Sequence, residues 1–102
     1  MKGAVVVFSR LTAKPGRRDA LLALLAPLVD AAKEEPGTEC FVIHVARDDA
    51  DVAWSYERFA DEAAFTAHRD STVVRAVLPK IRELLALSPE VTFATPKLEA
   101  RR

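Results

Sequence analysis

The sequence predicts an α+β protein in which one antiparallel sheet carries helices on one face and a second copy of the chain on the other. Strand-like and helix-like segments follow one another in the order β-α-β-β-α-β, which is the split βαβ or ferredoxin-like arrangement with four strands. The strands are apolar on both of their alternating sides, so both faces of the sheet need cover. Half of the residues are hydrophobic, and a bare apolar face promotes aggregation. We therefore expect a homodimer that packs sheet against sheet.

The first strand is predicted over residues 4–12, which are rich in β-branched side chains and end before Pro15-Gly16. Val5 and Val7 lie on one side of this strand, and Val6 and Phe8 lie on the other. Neither side is polar, which is the pattern of a strand covered on both faces.

The first helix is predicted over residues 17–34 and ends before Pro36-Gly37. Pro27 lies inside this helix and removes one backbone hydrogen bond, so we expect a kink there. The apolar residues of the segment recur at the spacing of a one-sided helix: Leu21, Leu24, Leu25, Leu28, Val29 and Ala32.

The second and third strands are predicted over residues 39–47 and 52–60 as a hairpin, because a short polar turn separates them. Side chains alternate between the two faces of a strand. In the third strand this alternation separates Trp54, Tyr56 and Arg58 from Ser55, Glu57 and Phe59. The two sets cannot all line one pocket of one subunit, and the sequence leaves open which set faces the helices.

The second half of the chain begins with a helix to about residue 69, for which Asp61 is a good N-cap. A new cap at residues 70–72 starts a further helical segment. Pro79 is expected to interrupt that segment and to begin a separate turn. Residues 90–95 form the last predicted strand.

The composition limits the classes of function and partner that we expect for this protein. The chain is one domain over residues 1–102 with a net charge of zero and no basic cluster beyond its last two residues, so we expect neither a nucleic-acid nor a membrane partner. Cys40 is the only cysteine and fits a reducing compartment. We interpret it as a small buried hydrophobic residue and expect a cytoplasmic protein.

His68 and Glu57 are the candidate catalytic residues. Each is a polar group among apolar neighbours, and such groups cost free energy unless they have a partner. Imidazole changes its protonation near neutral pH, which makes His68 the best acid–base candidate. Glu57 could accept the other ring N–H and orient it. The pair could equally be a structural hydrogen bond between the third strand and the following helix.

Three segments in this layout resemble the antibiotic biosynthesis monooxygenase family of dimeric α/β-barrel proteins. The resemblance covers nearly the whole chain, and its motifs are Lys14-Pro15-Gly16-Arg17-Arg18, Glu35-Pro36-Gly37-Thr38, and Tyr56-Glu57-Arg58-Phe59 with Ala64-Phe65 and His68. The family implies a ferredoxin-like monomer, a homodimer and a pocket between helices and sheet. Some members oxidise quinol-like aromatic compounds with O₂ and without metal or flavin.

The haem-degrading members of that family rely on an Asn, a Trp and a His. The corresponding positions here are Ser9, His68 and Leu78, and none of them matches. Because Leu78 cannot ligate iron, haem chemistry is not expected. A metal site formed by His44, His68 and Glu57 is a further alternative without a supporting spacing motif.

The resemblance, taken with His68 and Glu57, implies a monooxygenase that acts without a cofactor or metal on a small, electron-rich aromatic or quinol substrate. His68 would accept a proton, Glu57 would orient it, and the expected substrate contacts are Ser9, Phe41, Trp54, Tyr56 and Phe59. Two alternatives stay open. The protein could be a non-catalytic dimer that binds a small hydrophobic ligand or serves a stress response, or an isomerase that uses the same base without oxygen.

Overall fold

The computed structural model describes residues 3–101 and has the predicted order of elements. The elements are β1 (Val5–Thr12), α1 (Arg18–Ala32), β2 (Thr38–Val45), β3 (Val52–Phe59), α2 (Glu62–Arg69), α3 (Thr72–Leu84) and β4 (Glu90–Ala94). The four strands form one antiparallel sheet in the order β2-β3-β1-β4, so the α+β ferredoxin-like prediction is confirmed. No helix within residues 3–101 is long and apolar enough to cross a membrane.

The register of the sheet assigns every strand residue to a face. Ser9 on β1 is opposite Ser55 on β3, and Phe41 on β2 is opposite Glu57 on β3. Because paired residues of antiparallel strands share a face, these four side chains lie on one side of the sheet. Side chains of α1, α2 and α3 share a cavity with this side. We call it the helix-covered face and the other the outer face.

The main core lies between the helix-covered face and helices α1 and α3. Leu11 and Ala53 of the sheet pack there against Leu21, Leu25 and Ile81 of the helices, and all five are buried. A second cluster at the other end joins buried residues of β1 and β3 to α2: Val5, Val7, Phe59, Ala64 and Phe65. Residues of both clusters line one cavity over the sheet, and the candidate site lies there.

Both predicted caps of the second half are present. The Asp61 carboxylate accepts a hydrogen bond from the backbone N–H of Ala64 at 2.9 Å, and the Ser71 hydroxyl accepts one from the N–H of Val74 at 3.3 Å. The predicted break at Pro79 is wrong, because α3 continues through it to Leu84. Ile81 follows Pro79 by two residues and is buried, and packing of this kind stabilises a helix that lacks one backbone hydrogen bond.

The outer face is apolar but not bare. Phe8 and Trp54 are exposed there, whereas Val6 is buried. Residues 94–99 line a shallow pocket over Val6, and Arg58 holds this segment through two hydrogen bonds to the Glu99 carboxylate at 2.8 and 3.2 Å. The C-terminal segment therefore covers part of the face for which the sequence predicted cover only by a second copy of the chain.

Candidate functional site

A cavity of about 270 Å³ lies between the helix-covered face of the sheet and helices α1, α2 and α3. Its wall is mostly apolar, and five polar or charged side chains reach it: Ser9, Ser55, Glu57, His68 and Arg69. Val91 and Phe93 of the edge strand β4 also line the cavity and remain exposed to solvent. The cavity is therefore open at the β4 edge of the sheet, where a small molecule can enter.

His68 is positioned by helix α2 and by two aromatic rings. It lies in the last turn of the helix that Asp61 caps, and only 7% of its surface is exposed. The rings of Phe41 and Phe59 pack on the imidazole with centroid distances of 5.3 and 5.1 Å. These contacts hold the plane of the ring at the wall of the cavity.

The hydrogen-bond partner of His68 is Glu35. The Nδ1 atom of His68 lies 2.9 Å from Oε1 of Glu35, and the Thr38 hydroxyl donates to the same oxygen at 2.6 Å. This corrects the expectation that Glu57 orients the imidazole. Helix α1 ends at Ala32, two residues before the predicted end, so Glu35 lies in the following turn and not in the helix. Its side chain can therefore reach α2.

A close contact at Gly37 brings that turn against α2. A methyl group on Gly37 would overlap the Cβ atom of Ala64 and lie 3.3 Å from its Cα atom. The Gly37 carbonyl also accepts a hydrogen bond from the N–H of Ala60 at 2.9 Å. The missing side chain thus allows the approach that places Glu35 next to His68.

Glu57 lies on the other side of the imidazole. Its Oε1 atom is 3.6 Å from Nε2 of His68, which is longer than a hydrogen bond, and its Oε2 atom accepts a bond from the Ser55 hydroxyl at 2.9 Å. Burial raises the pKa of Glu57 above its ordinary value of 4.5, and the nearby Glu35 carboxylate raises it further. The Ser55 hydrogen bond and the charge of His68 oppose this increase in pKa.

The structure brings some of the predicted substrate-contacting residues together and separates others. Ser9 and Phe41 line the same cavity as His68, and Phe59 lies fully buried behind the imidazole. Trp54 and Tyr56 are on the outer face, as their alternation with Glu57 requires, so they cannot reach this cavity within one subunit.

The alternative metal site does not form. His44 pairs with Trp54 in the sheet and shares the outer face with it, on the opposite side from His68 and Glu57. Within the described residues 3–101, no three His, Cys, Asp or Glu side chains are grouped so that they could hold a metal ion. Glu35 and Glu57 approach opposite nitrogen atoms of His68, and the ring separates them.

Three polar residues of the site were not predicted from the sequence. Glu35 belongs to the Glu35-Pro36-Gly37-Thr38 motif, and that motif is the signal that could have identified it. Alternation groups Ser55 with Glu57 on one face of β3 but gives it no role. Arg69 lies beside the Phe65 ring at 5.6 Å and also lines the cavity. An arginine near the C-terminal end of a helix is favoured by the helix dipole, so its position in the sequence gives no signal of function.

Comparison with known proteins agrees with this architecture. The family model described as antibiotic biosynthesis monooxygenase matches residues 4–80. The protein named "Putative monooxygenase Rv0793" from Mycobacterium tuberculosis is 28% identical over 100 residues, which is 98% of each chain.

Solved structures give the same result for the fold. The structure of Rv0793 matches with a TM-score of 0.89 and covers 96% of this chain and 99% of its own. Protein SO0527 from Shewanella oneidensis is 26% identical, with a TM-score of 0.87 and coverage of 94% and 93%. A Nitrosomonas europaea protein named "Putative antibiotic biosynthesis monooxygenase" is 16% identical, with a TM-score of 0.88 and coverage of 94% and 92%. At this identity it supports the fold alone.

Proposed function

The chain belongs to the antibiotic biosynthesis monooxygenase family, and on that premise we propose that it is a cofactor-independent monooxygenase of small, electron-rich hydroxylated aromatic compounds or quinols. One observation carries the proposal. A nearly buried imidazole lies at the wall of an apolar cavity that is open to solvent at one edge. A purely structural histidine needs no such cavity, whereas a proton acceptor must be reachable by its substrate.

The cavity suits a substrate of one or two fused rings. A cavity of about 150 Å³ holds benzene, and pockets for drug-sized ligands begin at about 300 Å³. The volume of about 270 Å³ lies between these limits. Ser9 and Phe41 would contact the bound molecule, and Phe59 would support His68 from behind.

The reaction needs no electron donor other than the substrate. His68 removes the hydroxyl proton, and the resulting anion passes one electron to O₂. The two radicals join at a ring carbon and form a peroxide, which takes up a proton on its outer oxygen. That carbon then loses its remaining hydrogen as a proton while the O–O bond breaks and water leaves. One phenol and one O₂ give one quinone and one water, so atoms and electrons balance.

Oxygen uptake by the purified protein with a panel of hydroxylated one- and two-ring aromatic compounds tests this proposal. His68→Ala should reduce uptake to the rate without protein, whereas His44→Ala on the outer face should stay within about twofold of the original protein. Uptake that is unchanged in His68→Ala would reject the assignment. Turnover without oxygen would indicate an isomerase, and binding without any turnover would indicate a ligand-binding protein.

We also propose that the protein forms a homodimer through the outer face of the sheet. It combines exposed Phe8 and Trp54 with a charged rim formed by Arg10 with Glu90 and by Arg58 with its carboxylate partners. An apolar centre with a polar rim is the usual composition of a protein interface. His44 and the aromatic residues of this face would then contribute to the dimer interface and not to the cavity.

Light scattering during size-exclusion chromatography tests the dimer. The original protein should have twice the mass of one 11.2 kDa chain, and Phe8→Glu should have the mass of one. Leu87→Glu, at an exposed position outside the sheet, is the matched control and should stay dimeric. A single-chain mass for the original protein at micromolar concentration would contradict the proposed assembly.

A further inference from the structure

The two carboxylates beside His68 have different surroundings. Glu57 lines the cavity, whereas Glu35 and Thr38 do not. Glu35 lies on the opposite side of the imidazole, in the turn after α1, and its Oε1 atom is within hydrogen-bond distance of both the Thr38 hydroxyl and Nδ1 of His68. It is therefore close enough to act on the imidazole but placed so that it does not touch a molecule in the cavity.

The hydrogen-bond chemistry determines which nitrogen carries the proton. A neutral imidazole has one N–H donor and one acceptor. An ionised carboxylate has no proton to donate, so the Glu35 oxygen that takes the Thr38 hydroxyl proton at 2.6 Å can pair at 2.9 Å only with a donor on Nδ1 of His68. The Nε2 atom then has no proton, and its lone pair points to the side where Glu57 lines the cavity. The distance of 3.6 Å to Glu57 fits this state, because no N–H bridges the two atoms.

We propose that Glu35 is the positioning residue of the site: supported by Thr38, it fixes the Nδ1–H tautomer of His68 and so makes Nε2 the proton-accepting atom. The consequence for turnover rests on the proposed function, whereas the tautomer itself does not. When Nε2 takes up a proton, the Glu35 carboxylate also balances the positive charge of the ring, as carboxylates behind catalytic histidines do. Glu57 remains available on the cavity side for the proton that the peroxide later needs.

The first test is nitrogen NMR of the full chain labelled at the imidazole nitrogens, at a pH where the ring is neutral. The original protein should carry its proton on Nδ1 of His68, and so should Glu34→Gln, which removes an exposed charge next to Glu35. Glu35→Leu should give a mixture of both tautomers. Glu35→Gln keeps an acceptor oxygen, so His68 in this variant should carry its proton on Nδ1, as in the original protein. A proton on Nε2 in the original protein overturns the proposal without any variant.

The second test is kinetic and uses a substrate that the original protein oxidises. Glu35→Leu should lower kcat by about 10- to 100-fold and change KM by less than about twofold, because the residue acts through His68 and does not touch the substrate. If Glu35→Leu does not fold, Thr38→Val removes one support of the carboxylate and should lower kcat in the same direction by a smaller factor. Glu34→Gln is the control and should keep the kcat of the original protein. If the folded variant at Glu35 or Thr38 has the same kcat as this control, the proposal is overturned. If no compound is oxidised by the original protein, the proposed function fails, and the NMR result still decides the role of Glu35.

Discussion

The contact between Gly37 and Ala64 gives a prediction of stability that can be calculated from the structure. Gly37 has no left-handed backbone angle, so an alanine there is not strained by its own conformation. Its methyl group would instead overlap the Cβ atom of Ala64 and force the turn away from α2. Overpacking of this kind costs about 1–3 kcal/mol. For a chain of this size that corresponds to a decrease in Tm of roughly 5–20 °C.

A double-mutant cycle measured by urea unfolding separates this clash from other effects. Ala64→Gly alone should cost roughly 1 kcal/mol, because glycine is unfavourable in a helix. The pair Gly37→Ala with Ala64→Gly should be about 1–3 kcal/mol more stable than the sum of the single changes, because the second change removes the overlapping methyl group. Gly3→Ala, where no atom lies within 4 Å of the new Cβ, is the control and should unfold like the original protein. Additive effects within about 0.5 kcal/mol would refute the explanation.

Three further predictions test the site and its supports. Burial raises the pKa of Glu57 above its ordinary value of 4.5, so the folded state holds more protons than the unfolded state and loses stability as the pH rises above that value. The stability of Glu57→Gln relative to the original protein should therefore increase as the pH rises above 4.5, and a pH-independent difference in urea unfolding would contradict this. Pro79→Ala should raise the free energy of unfolding by about 1–3 kcal/mol, because it restores a backbone hydrogen bond at an exposed helix position. A decrease in the thermal midpoint of unfolding would instead show that the proline stabilises the fold. Phe59→Ala should cost about 3–5 kcal/mol of stability and remove the ring that packs on one side of His68, whereas Phe59→Leu should keep the fold. If calorimetry shows that both variants unfold like the original protein, Phe59 is not the core residue that its complete burial indicates.

Local chemistry explains which parts of the fold were predictable. The strands follow from β-branched residues that alternate between faces, and the caps at Asp61 and Ser71 follow from side chains that accept N–H groups of the first helical turn. Pro79 is the opposite case, because burial of the helix at Ile81, two residues later, outweighs the local preference. Local rules apply where the stabilising contact is nearby in the chain.

The candidate site depends on contacts that are distant in sequence, so less of it was predictable. His68 was identified because a lone imidazole on an apolar helix face needs a partner, but Glu35 is 33 positions away along the chain. Its approach depends on the contact of Gly37 with Ala64, which no periodicity encodes. The face assignment of Glu57 and Trp54 was likewise open, since alternation separates two sets of residues without showing which set the helices cover.

Strand β3 places Glu57 in the cavity and the adjacent Arg58 on the outer face, where it holds the C-terminal segment. A shift of this strand by one position relative to β1 would exchange the two, burying a guanidinium in the apolar cavity and exposing the carboxylate. Insertions and deletions inside β3 should therefore be eliminated during evolution. Length variation among homologous chains should instead be found in the connection at residues 46–51, which can change without exchanging the two faces.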